Sequence, residues 1–512
     1  MKATQKGFLN ILYGTLGQII VLAISVITPL LVLENFGSEV NGLLRSTEQI
    51  FTYLSLLEAG IGYASLQALY KPVAEDDKNE VSAIMAATKI YYDRTGFLYT
   101  IAIVLFAVVY PIIVTNSLPY FLVVGIVLLG GLGGSLNYFY QAKYILLMQA
   151  EGYSFVTQRI NIIINILINI SKIVLLLSGC GILAVQASYF LMQVVRTVFY
   201  LFYVRKNYQD INFNIKPDFD AVSQKDAVFV HQISYMIFSS TDILLLTFLT
   251  QDLKIVSVYS IYIMIVNTLW TMVQSVAGGF DFRLGQIFAI DKEQYCKLFH
   301  TFEILHLTLI FAVMSALYVV FLPFMSLYTR NVTDINYLNS WYPILFVLGP
   351  ILNQGRNAEN SSITFAGHFE QTKKYSIIET SINLLVSVGG IMLLGLPGAL
   401  IGTISASIYR TVNVIWYCYN HIIPGSCVKT VKRWLYCFIV FILLLIAEFY
   451  FPVSLSSYQS IIVVAILSGV LFIVIYGGGL YLLNTEEQPL VRDLLKTMIH
   501  DVLEKIIHSK NA

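Results

Sequence analysis

Gln158, Asn161, Asn165, Asn169 and Lys172 fall 3, 4, 4 and 3 residues apart in a segment otherwise dominated by isoleucine and leucine. At about 3.6 residues per turn, that spacing puts them all on one helix face. Such a face can hydrogen-bond to neighbouring helices, or it can wall a hydrated cavity in which Lys172 draws an anion. A second cluster has the same character. Asn353, Arg356, Asn357 and Asn360 share a face, with Gln354 and Glu359 beside it, and Gly349-Pro350 upstream predicts a kink or break. Arg356 and Glu359, one turn apart, form either a neutralised bridge or part of a polar path. With Arg45, these stripes give a candidate substrate-cavity set of Arg45, Asn165, Asn169, Lys172, Asn353, Arg356 and Asn357.

Carboxylates in apolar surroundings are the other chemical signal. His231, Tyr235, Phe238 and Asp242 form one stripe, and Asp242 lies roughly 16 Å along a helix from His231, near mid-membrane. A carboxylate at that depth is either paired with a buried arginine or titrates with a coupling proton or sodium ion. Arg45, Glu48, Thr52, Ser55, Glu58, Gly62 and Ser65 make another polar stripe, with Glu58 its deepest charge and Gly60 and Gly62 permitting close helix contact. Glu58 and Asp242 are therefore the candidate ion-coupling residues. Arg196 and Arg410 sit toward the cytoplasmic ends of their apolar windows, where snorkelling is a sufficient explanation, and their equivalence in the repeat suggests a shared structural role.

Other chemistries are excluded. There is no HExxH, P-loop or GxSxG motif, and no large loop to hold a catalytic centre, so no enzyme activity is expected. Cys180, Cys296, Cys418, Cys427 and Cys437 are scattered without CxxC spacing and fit neither a disulfide framework nor a metal site. No cofactor is expected. The net charge of +1 argues against a nucleic-acid partner.

The elements that must position these residues are transmembrane helices. The 512 residues are 57% hydrophobic and 12% charged, about half the charge a soluble domain needs, so lipid must solvate most of the chain. Apolar windows near the length a bilayer demands run Phe8–Leu33, Ser46–Tyr70, Phe97–Thr115, Pro119–Tyr140, Ile160–Ser178, Gly181–Val204 and Val228–Thr250. They continue as Ile255–Phe280, Ile304–Leu327, Trp341–Ala366, Tyr375–Leu394, Pro397–Tyr419, Trp434–Phe451 and Tyr458–Leu483. The expectation is an all-α polytopic membrane protein of about fourteen spans. The first window is too long for a signal peptide and reads as a retained span.

With the N-terminus inside, 24 of the 31 basic residues fall on cytoplasmic segments, while Arg45, Lys254 and Arg330 lie at outer loops or their edges. This places the chain in the cytoplasmic membrane with both termini cytoplasmic. A faint repeat divides it. Arg196-Thr197-Val198 recurs as Arg410-Thr411-Val412 after 214 residues, and Leu33 to Val40 and Ala150 to Tyr153 align with segments 216 residues on. Two parallel six-helix repeats are expected, a transporter arrangement, as lobes 1–205 and 226–420. Two extra helices follow over 430–483, then a cytoplasmic amphipathic tail over 484–512.

Several segments resemble bacterial polysaccharide flippases of the MOP superfamily, the multidrug/oligosaccharidyl-lipid/polysaccharide exporters. They are Leu57-Glu58-Ala59-Gly60-Ile61-Gly62, Thr241-Asp242-Ile243, Val256-Ser257-Val258-Tyr259-Ser260, Pro323 to Thr329, Ala366 to Thr372 and Leu396 to Thr403. The likeness covers nearly the whole chain in order. It implies a fourteen-helix transporter that turns polyprenyl-diphosphate-linked oligosaccharides outward by alternating access, for cell-surface polysaccharide biosynthesis. It also implies membrane lipids, a coupling proton or sodium ion and polysaccharide assembly proteins as partners. A cation-coupled multidrug exporter of the same fold is the alternative, and a membrane polysaccharide polymerase or glycosyltransferase the second.

Overall fold

The computed structural model describes residues 26–58, 61–114, 117–222 and 241–492. Most of the window Phe8–Leu33, the stripe residues His231, Tyr235 and Phe238, Gly60, and most of the C-terminal amphipathic segment lie outside them. The described residues are all helical, turn or coil, with no strand among them.

The chain divides into two compact units, residues Met1–Ile261 with Asn331–Ile335, and residues Tyr262–Arg330 with Asn336–Ala512. Unit 1 begins with α1 (Ile27–Leu54), which continues through a kink at Gly37 (φ 80°, ψ 178°). That backbone favours glycine. Beyond it, the Ser38 amide and hydroxyl both donate to Asp334, at 2.8 and 2.7 Å. The loop expected between the first two windows is thus one residue long, and Arg45 stands two turns inside a helix rather than at a loop edge.

A 3-10 turn (Ser55–Glu58) leads to α2 (Ile61–Ala74). Asp77 then accepts from the Asn79 and Glu80 amides and starts α3 (Lys78–Ile113). After α4 (Tyr120–Leu136), one π turn (Asn137–Gln141) joins α5 (Ala142–Ala150). The unit continues with α6 (Ser154–Leu177), α7 (Ile182–Asn207) and α8 (Thr241–Thr250). Residues 208–222 form a strap: Ile211, Phe213, Ala221 and Val222 pack on α2, α3 and α5, and the Asp218 amide donates to the Ala83 carbonyl at 3.1 Å.

Helix α9 (Leu253–Ile290) carries the division between the units. Unit 2 follows with α10 (Lys292–Tyr328), capped by Asp291, then α11 (Tyr342–Gly355), α12 (Asn357–Phe365), α13 (Phe369–Leu394) and α14 (Leu396–His421). Two further helices, α15 (Val428–Tyr450) and α16 (Tyr458–Leu483), complete it. Helix α10 is central: its most apolar window is 78% buried, against 17% for α16. The α16 side chains Ile462, Ile466, Leu467, Val470 and Val474 are more than half exposed, a surface only lipid can solvate.

Among the described residues, nine helices are long and apolar enough to cross a membrane. The remaining expected windows fall short for local reasons. The first and seventh lie largely outside the described residues, and the second is split by Gly37 and the 3-10 turn. The tenth is split into α11 and α12, and the twelfth, α14, spans 26 residues but is more polar. The protein is an all-α polytopic membrane protein.

Candidate functional site

In unit 1, α1, α6 and α7 enclose a cavity of about 200 Å3 whose polar lining includes Asn41, Arg45, Glu48, Asn169, Lys172 and Gln186. Arg45 Nη1 bonds Glu48 Oε2 at 2.9 Å, so those two charges offset one another. Lys172 has no ion pair among the described residues; its Nζ lies 4.9 Å from the centre of the Tyr189 ring. The cavity therefore carries one positive charge in excess. Asn169 accepts from Thr28 Oγ1 at 3.2 Å and donates to the Asn165 carbonyl at 2.8 Å, which fixes its amide on the same wall.

Arg45, Asn169 and Lys172 are thus brought together. Asn165 is turned aside, its Oδ1 accepting from Arg196 Nη2 at 2.8 Å. Arg196 engages the neighbouring helix rather than snorkelling outward.

A larger cavity of about 670 Å3 opens where α3 begins and α7 ends. Asp76, Glu151 and Asp210 line it against a single lysine, Lys78, so its charge repels anions. None of the sequence-predicted site residues lines it.

Glu58, half-buried at the end of the 3-10 turn, accepts from Tyr92 Oη at 2.7 Å. Asp242 Oδ2 accepts from Tyr259 Oη at 2.9 Å. Both carboxylates are held by tyrosines on neighbouring helices, and among the described residues no group of three or more His, Cys, Asp or Glu could hold a metal ion.

Unit 2 separates what the sequence placed on one face. Helix α11 runs through Gly349 and Pro350 without breaking; the break comes at Arg356 (φ −87°, ψ 15°), between α11 and α12. Gly355 is required there, because a Cβ would stand 2.4 Å from the Trp434 ring. The break leaves Asn353, Asn357 and Asn360 half-exposed while Arg356 turns inward to 4% exposure. Arg356 does not pair with Glu359. Its Nη2 bonds Glu379 Oε1 at 2.8 Å and its Nη1 the Ser407 carbonyl at 3.3 Å. Arg410 Nε lies 3.5 Å from the other Glu379 oxygen. Arg356 is therefore enclosed in a buried cluster with Glu379 and Arg410, apart from the half-exposed asparagines it was expected to join.

Glu379 was missed although it was legible, a lone carboxylate in the window Tyr375–Leu394. A second buried centre was also missed. Arg433, 1% exposed, donates to Glu303 at 2.5 Å, Asn484 at 2.8 Å and Glu487 at 3.1 Å. Glu303 and Arg433 stand at window edges, where a charge looks like an interfacial one.

No family model matches the chain, and no curated protein does. Solved structures do. The lipid II flippase MurJ, in an inward closed conformation, is similar over 92% of this chain and 99% of its own, with a TM-score of 0.67 and 14% identity. An inward-facing multidrug resistance MATE family transporter of the MOP superfamily is similar over 77% and 93%, with a TM-score of 0.57 and 16% identity. A MOP superfamily transporter from Pyrococcus furiosus is similar over 80% and 94%, with a TM-score of 0.51 and 16% identity. All three are transporters. The chain has the fold of the MOP-superfamily transporters.

Proposed function

We propose that this protein flips polyprenyl-diphosphate-linked oligosaccharide units across the cytoplasmic membrane, by alternating access, for cell-surface polysaccharide biosynthesis. The observation that carries this reading is the unit 1 cavity, where Lys172 stands without a counter-ion among the described residues, beside Arg45 and Asn169. A diphosphate needs cations in a wet, partly enclosed site, while its lipid tail stays in the bilayer. The amides of Asn169 and Gln186 suit sugar hydroxyls. The fold likeness to the lipid II flippase extends over 92% of the chain and is consistent with this reading. The basic residues favour cytoplasmic termini, so that the substrate enters from the side on which it is made.

The test is transport of a fluorescent lipid-diphosphate oligosaccharide in proteoliposomes. A charge-assisted hydrogen bond contributes about 1.5–3 kcal/mol, so Lys172→Ala should cut transport roughly 10–100-fold at unchanged insertion. Wild-type rates in this variant would overturn the cavity reading. In cells, loss of the protein should strand lipid-linked units on the cytoplasmic leaflet, and their normal appearance outside would overturn the function.

A second reading, a cation-coupled multidrug exporter, is favoured by Glu58 and Asp242, each held by a tyrosine in unit 1. It predicts that Glu58→Gln and Asp242→Asn abolish efflux of cationic drugs while Lys172→Ala spares it.

A further inference from the structure

Glu359, on α12 of unit 2, is fully buried, and neither carboxylate oxygen has a hydrogen-bond partner among the described residues. Its surroundings explain why. Arg356, three residues back, spends its terminal nitrogens on Glu379 and the Ser407 carbonyl. Arg433, from α15, is committed to Glu303, His300, Asn484 and Glu487. Tyr295 from α10 bonds the Ser362 hydroxyl at 2.6 Å, and Tyr419 from α14 bonds Thr430 at 2.6 Å. Cys418 on α14 and Glu303 on α10 complete the titratable groups facing it. Glu303 itself leaves one buried oxygen, Oε1, without a partner among the described residues.

A carboxylate sealed from solvent, with no hydrogen bond to either oxygen among the described residues, is driven toward its neutral form, its own amide and the engaged Arg433 and Arg356 opposing only in part. The nearby Glu303 carboxylate pushes the same way. We propose that Glu359 is a proton-binding site of unit 2, held as the neutral acid in this conformation, whose deprotonation competes for Arg433 and loosens its hold on residues 484–487. The proton is released to bulk water, and the carboxylate left behind draws on the nearest guanidinium. Arg433 is the group through which this reaches the chain beyond α16, because it bonds both Asn484 and Glu487. The inference is independent of the substrate and of the unit 1 cavity.

Hydrogen exchange of residues 484–492, in wild type and Glu359→Gln reconstituted in nanodiscs, tests it. Comparing the two at each pH cancels the intrinsic exchange chemistry. They should match near about pH 5, and wild type should exchange several-fold faster near about pH 9, at the upper end of the range in which buried carboxyls have been found to titrate. Thermal unfolding should diverge earlier, from about pH 4 upward, where the unfolded chain begins to give up the proton. The folded protein holds a proton that the unfolded chain gives up, so wild type loses stability relative to Glu359→Gln as pH rises. Parallel profiles at every pH would overturn the proposal. Replacing choline chloride with sodium chloride should change nothing; a sodium-dependent difference between wild type and Glu359→Gln would make the ligand a metal cation and overturn it too. Glu359→Met is the folding control. A neutral, unbonded carboxyl tolerates both replacements at neutral pH, whereas collapse of both variants would mean a charged structural carboxylate and refute the neutral-acid reading.

Discussion

Helices α6 and α7 of unit 1 and α13 and α14 of unit 2 make the same contact 214 residues apart, with opposite outcomes. Arg196 bonds Asn165 in the first pair, and Arg410 pairs with Glu379 in the second, each residue displaced by that offset. Asn169 corresponds to Asn383. In unit 1 it faces the cavity; in unit 2 it is 1% exposed and bonds Thr403 at 3.1 Å. Where unit 1 has Lys172 and Tyr189, unit 2 has Val386 and Thr403.

Small residues decide how closely each pair packs. Ser387, Gly390, Gly398 and Gly402 line the α13–α14 seam, and a Cβ on Gly398 would stand 1.9 Å from the Gly390 carbonyl carbon. The matching unit 1 positions are Ile173, Leu176, Ala184 and Ser188, which hold the helices further apart. One seam closes over a buried cluster in which two arginines share one glutamate, and the other is left with a cavity lined by Lys172. The same scaffold thus serves as structure in one unit and as a candidate ligand site in the other.

The comparison can be broken at several points. Glu379→Ala should have the largest effect, leaving Arg356 and Arg410 buried without a counter-charge at a cost of about 3–5 kcal/mol. The matching Asn165→Ala should cost about 1 kcal/mol. Thermal unfolding in detergent measures both, and equal losses would refute the contrast. Gly398→Val comes next. It overfills the closed seam and should destabilise by about 1–3 kcal/mol, while Ala184→Val in the looser unit 1 seam should cost less by the same assay. Val386→Lys would sharpen the point, since a lysine there finds no cavity. It should lower the yield of folded protein and create no new anion binding in a titration with inorganic diphosphate.

The smallest effects belong to the exposed ion pairs. Lys78 holds the Asp210 carboxyl of unit 1 below its usual range, and Lys429 does the same to Glu486 of unit 2. A depressed carboxylate contributes stability above its unfolded value, and that contribution fades as pH falls through the folded one. Acidification through about pH 4 should therefore lower the unfolding temperature slightly. High salt at neutral pH should reproduce the loss, because both pairs face solvent.

The spacing on α6 was enough to bring Asn169 and Lys172 to one wall, because an uninterrupted helix obeys its period. The α11–α12 face was misread for the converse reason. Its period is interrupted at Arg356, which turns inward with Glu359 while Asn353, Asn357 and Asn360 stay half-exposed. Pro350, which the sequence marks as the breaker, sits inside a continuous helix. The outer loop expected after the first window shrank to Gly37 because the Asp334 carboxylate caps Ser38 from 296 residues away, a partner that local pattern cannot supply.

The sequence by itself determined that lipid solvates this chain, that its elements are helices, and that polar stripes run along several of them, because composition and periodicity are local properties. Which stripe opens onto a cavity and which closes on a counter-ion was decided only in the tertiary structure. A buried charge is defined by its neighbours: Glu379 and Glu359 are both glutamates in apolar windows, yet among the described residues one is held by two arginines and the other by none.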